Sequence, residues 1–184
     1  MRASEVEVES SAAAGTGPLV AYLRSRPGPA TLAVLSFGAA AIHFAVSPDH
    51  FGEWVPFGVA FACLAWFQLL WAAFCLAGRD RGWAAAAVVV NAGAVVVWAW
   101  SRTIGLPMGP DPGSTEPVGF ADALSSAFEA LLVLGLLVSG STLAARVSGH
   151  PARRGVAVVL VTVAVVVLTV VALMALAPHA MPMG

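Results

Sequence analysis

The chain is expected to fold as an all-α polytopic transmembrane helical bundle of five spans, N-terminus in and C-terminus out, and three observations lead there. It is 59% hydrophobic and only 10% charged over 184 residues. Its mean hydropathy is +0.88. Its apolar residues gather into five runs long enough, or nearly so, to cross about 30 Å of hydrocarbon as helices of roughly 20 residues. Such a composition lies outside the range of soluble domains. The runs lack the alternation of barrel strands, and backbone groups left unpaired in lipid have no partner, which leaves helices.

Residues 1–29 are acidic and rich in small side chains, with Glu5, Glu7 and Glu9 alternating. They lack the basic start and early apolar core of a signal peptide, and read as a disordered or interfacial cytoplasmic tail. Pro27 and Pro29 punctuate the approach to the first span, residues 30–47, which is the shortest and acts as an uncleaved signal anchor. The second span, 55–78, is crowded with aromatics from Trp54 to Phe74 that suit lipid contact and packing. The third and fourth occupy 82–105 and 120–143, and the fifth, 155–177, is almost wholly Val, Leu and Ala apart from Thr162 and Thr169. Residues 178–184 form an extracytoplasmic tail. Cys63 and Cys75 would sit about 18 Å apart along one helix, too far to bridge.

Arginines orient the bundle. All nine basic residues are Arg. Arg24 and Arg26 precede span one, Arg79 and Arg81 separate spans two and three, and Arg146, Arg153 and Arg154 separate spans four and five. The alternate loops carry Asp49, Glu53, Asp111 and Glu116, with Arg102 nearby. By the positive-inside rule the N-terminus is cytoplasmic and the C-terminus outside.

Polar groups inside the membrane need a partner or water, so function is sought there first. Counted from the outer boundary, His43, Arg102 and Asp122 fall within roughly 8 Å of the surface, Glu129 about 14 Å down, and Gln68 and Asn91 about 20 Å down. Residues three, four and seven apart share a helix face. That spacing groups Ser36, Ala40, His43 and Ser47 on span one, Asn91, Trp98 and Arg102 on span three, and Asp122, Ser125, Ser126 and Glu129 on span four. Arg102 is expected to meet Asp122 or Glu116, and Gln68 to meet Asn91. Both pairings also serve as plain interhelical contacts. Glu129 is either a neutral, hydrogen-bonded acid or a proton-relaying or ligand-binding carboxyl.

The outer loops offer metal ligands. Residues 47–54 place His50 and Glu53 near His43, a set of imidazoles and a carboxylate suited to zinc or copper, although Pro48 separates them from a simple helix. In the tail, His179, Met181 and Met183 include the thioethers that favour copper(I). Residues 106–119 hold four prolines and read as an ordered cap over the outer mouth of the bundle.

The run from Trp98 to Pro110, the segment Glu116 to Asp122 with Glu129, and Ile42-His43-Phe44-Ala45 with Asp49-His50-Phe51 resemble a group of uncharacterised multi-spanning membrane proteins of high-GC Gram-positive bacteria. The resemblance covers spans one to four. It implies an integral protein of the bacterial plasma membrane and carries no activity with it.

Three functions remain open at this level. The first is binding of a metal ion or small ligand in an outward-opening polar cavity lined by Arg102, Asp122, Glu129, Gln68 and Asn91. The second is an accessory role, with a membrane-protein partner or in a homo-oligomer. The third is a redox role with haem or quinone. No catalytic motif is evident. Nucleic-acid binding is set aside, because the chain has no Lys and topology accounts for the cytoplasmic arginines.

Overall fold

The computed structural model describes residues 27–78, 83–139 and 151–176, with side chains over 28–78, 83–138 and 160–176. These residues form five helices: α1 (Pro27–Glu53), α2 (Val55–Leu76), α3 (Ala84–Thr103), α4 (Phe120–Ser139) and α5 (Pro151–Leu176). Four of them, α1 to α4, are long and apolar enough to cross a membrane. The described side chains of α5 add a shorter apolar stretch, Leu160–Leu176. The tail histidine and methionines, His179, Met181 and Met183, lie outside the described residues.

The first helix departs most from expectation. It begins at Pro27, with Pro27 and Pro29 in its first turn, where a missing N–H is harmless because that N–H has no helical partner anyway. It then continues through Pro48 to Glu53, so residues 47–53 are helix and not loop. Ser47 Oγ donates to the His43 carbonyl at 2.6 Å, one turn back along this helix and just before the proline. Only Trp54, in extended backbone (φ −163°, ψ 123°), separates α1 from α2. The Phe51 ring packs against Gly58 so closely that a Cβ there would lie 2.2 Å from its Cγ. That contact folds α2 back along α1, and Pro56 lies within the opening turn of α2.

Helix α1 is the axis of the bundle. It packs against α2 most extensively and also against α4 and α5, while α3 lies on α4 and barely touches α2. In its most apolar stretch 61% of α1 is buried within the protein, against 28% for α2, 17% for α3 and 28% for α4. Small residues make this close approach feasible: Ala30, Ala33, Ala39 and Ala40 are buried, and Gly38 meets Phe128, Val165 and Thr169. On α2 the buried positions Gly58, Ala65, Gln68, Ala72 and Cys75 recur at steps of seven, three and four residues, giving one seam toward α1. Trp66, Leu70, Val89, Val96 and Leu134 point outward and are more than half exposed, an exterior that belongs in a lipid bilayer.

Candidate functional site

The α2–α3 pair is joined at one end and splayed at the other. At the joined end Phe74 and Trp83 rings lie 6.0 Å apart, and further along Gln68 Nε2 donates to Asn91 Oδ1 at 3.0 Å. Beyond that bond the helices separate around a cleft of about 630 Å³. Its apolar walls are Phe57, Ala60, Phe61 and Leu64 of α2 and Val90, Ala94 and Val97 of α3. Its polar back comes from α1 (His43, His50) and α4 (Asp122, Ser125, Ser126, Glu129). Helix α1 packs on α2 and α4, and α4 packs on α3, so three sides are closed and the gap lies between α2 and α3.

The loop after α3 roofs the splayed end. Gly113 N–H donates to the Leu106 carbonyl at 2.8 Å, and Glu116 N–H to Ser101 at 3.1 Å, which ties the loop back to α3. Gly105 turns the chain with φ +82°, and a Cβ there would lie 2.4 Å from Gly113 backbone. Only glycine fits that combination without strain. The loop reaches across to α2, where Gly109 sits on the Phe57 ring, and Pro107 and Met108 face the cleft.

At the rim, Arg102 Nε donates to Asp122 Oδ2 at 3.1 Å, and its terminal nitrogens reach Asp122, Glu116 and Ser101. The Trp98 indole donates to the same Asp122 oxygen at 3.0 Å. Arg102 therefore meets both acids expected for it, linking α3, α4 and the roofing loop.

Deeper in, Glu129 is 1% exposed. His43 Nε2 lies 2.9 Å from its Oε1, and Gln68 Nε2 donates to that oxygen at 2.7 Å. Ser36 Oγ donates to the Gln68 carbonyl at 2.8 Å, and Asn91 Nδ2 to the Ala87 carbonyl at 2.8 Å. Four helices thus meet in one buried polar chain. His43 and Glu129, expected about 6 Å apart in depth, are in direct contact. The difference follows from α1, which extends six residues past Ser47, so the depth scale for that helix shifts by about 9 Å.

His43, His50 and Glu53 do not converge as the proposed metal set. His50 Nδ1 lies 2.9 Å from Glu53 Oε2, while His43 turns to Glu129. The Phe61 ring contacts both imidazoles, stacked on His50 at 3.8 Å and edge-on to His43 at 5.5 Å. Among the described residues no three His, Cys, Asp or Glu side chains stand where they could hold a metal ion.

The aromatics of span two suit interfacial belts at its ends and lipid contact or packing at its centre, yet Phe57 and Phe61 both line the cleft. The signal was present: Phe57, Phe61, Leu64 and Gln68 follow one another at three- and four-residue steps, the same face as a polar residue. Comparison of the chain with protein-family models, with curated proteins and with solved structures finds no match, so the chemistry of this cleft is carried by its own residues.

Proposed function

We propose that this is a five-span protein of a bacterial plasma membrane, N-terminus cytoplasmic and C-terminus outside, that holds a small lipid-soluble ligand in the cleft between α2 and α3. The supporting observation is the cleft itself. At about 630 Å³ it falls within the roughly 300–1,000 Å³ of small-molecule sites, and its mostly apolar walls converge on a few fixed polar groups. A roof over the splayed end and a gap between two lipid-facing helices suit a ligand that arrives sideways from the bilayer. The small-ligand form of the reading is favoured over the metal form, because His43 and His50 are each engaged by a separate glutamate.

Trp54, Trp98 and Trp100 line the cleft and report its occupancy. Purified full-length protein is titrated with three aromatic probes of similar bulk: cationic tetraphenylphosphonium, neutral triphenylphosphine oxide and anionic tetraphenylborate. A saturable change in tryptophan emission is expected with at least one of them, weakened about tenfold, or 1.4 kcal/mol, by Ala94→Phe, which fills the cleft. Failure of all three to saturate, or indifference to that variant, removes the proposal.

A further inference from the structure

Charge narrows the occupant. The cleft is lined by three carboxyl groups, Glu116, Asp122 and Glu129, and by one guanidinium, Arg102. Arg102 is already engaged by Asp122 and Glu116. An anionic head group entering the cleft would meet a surplus of carboxylate, with the guanidinium already committed. A cation would meet that surplus in a low-dielectric setting, where attraction is strengthened, beside the aromatic side chains of Phe57, Phe61 and Trp98.

The buried polar pair adds a second reason. His43 is 6% exposed, and its Nδ1 is buried without a hydrogen-bond partner. Glu129 is 1% exposed, and its Oε1 lies 2.9 Å from His43 Nε2 and accepts from Gln68 Nε2. Burying an uncompensated carboxylate in the bilayer is expensive, and a bound cation would compensate it.

We propose that the cleft binds a lipophilic organic cation beside Glu129; this rests on the cleft being a ligand site. The charged or titratable groups that line it are His43 and His50 from α1, Arg102 from α3, Glu116 from the roofing loop, and Asp122 and Glu129 from α4, while α2 contributes uncharged residues and the described part of α5 lines none of the cleft.

The same three probes decide it. Tetraphenylphosphonium is expected to bind at least about tenfold more tightly than the neutral and anionic probes. In Glu129→Gln, cation affinity should fall toward that of triphenylphosphine oxide while binding of the neutral probe persists, which also reports an intact cleft. The comparison of probes on the native protein needs no variant, so a Glu129→Gln that does not fold leaves the test standing. Equal binding of cation and neutral probe overturns the cation assignment and leaves the cleft reading intact. A cation preference that Glu129→Gln leaves unchanged overturns the place of Glu129 in the site.

Discussion

His43–Glu129 and His50–Glu53 are chemically the same pair at the same distance, 2.9 Å. The first joins α1 to α4 across 86 residues with side chains 7% and 1% exposed. The second closes within the last turn of α1, three residues apart, with side chains 22% and 54% exposed. Water and neighbouring residues would replace either partner of the outer pair at little cost. Nothing replaces Glu129 for the Gln68 amide and the His43 imidazole that converge on it. Distance alone therefore says little about what a pair contributes; burial and the separation of the joined elements decide it.

The largest effect is expected at the buried pair. Glu129→Ala should destabilise the fold by about 2–6 kcal/mol, roughly 1–3 for each buried donor that loses this acceptor, since it leaves His43 Nε2 without its partner and Gln68 Nε2 with Asn91 alone. Denaturation of the purified protein in SDS measures this, and a loss near that of an exposed site would show that the polar chain is dispensable. Arg102→Ala comes next. Its two nitrogens on Asp122 are charge-assisted bonds worth about 1.5–3 kcal/mol, whereas the half-exposed Glu116 adds little. The same variant should speed protease cleavage within residues 106–119, since the roofing loop loses its ionic tie to α3. An unchanged digestion rate would place the tie in the loop's own hydrogen bonds. His50→Ala should change stability by no more than about 1 kcal/mol, the scale of an exposed ion pair. A larger loss would mean that stacking on Phe61 outweighs the bond to Glu53.

Apolar runs made the helices legible, and the onsets at Val55 and Phe120 coincide with the expected ones. The end of α1 was not legible. Pro48, Asp49, His50 and Glu53 look like a loop because they are polar, yet a helix end needs no apolar residues once it reaches the polar end of the bundle. That misplacement hid the contact between His43 and Glu129. Shared helix faces were readable: Ser36, His43 and Ser47 are all buried, as are Ser125, Ser126 and Glu129. Which individual side chains pair was readable only where opposite charges or matching amides made the pairing obvious, as with Arg102 and Asp122 or Gln68 and Asn91. The centrality of α1 was not anticipated from hydropathy, because its cause is small side chains and not apolar ones. The cleft was least legible of all. It arises from two helices diverging beyond Gln68 and Asn91, and divergence leaves no mark in either helix alone.

Coupling energies test the contrast between the two pairs most directly. Double-mutant cycles of His43→Ala with Glu129→Gln, and of His50→Ala with Glu53→Gln, are measured by the same SDS denaturation. The buried cycle should give a coupling of about 1.5–3 kcal/mol and the exposed one less than about 0.5 kcal/mol. Two couplings of equal size would contradict the claim that burial between α1 and α4 is what sets His43 and Glu129 apart.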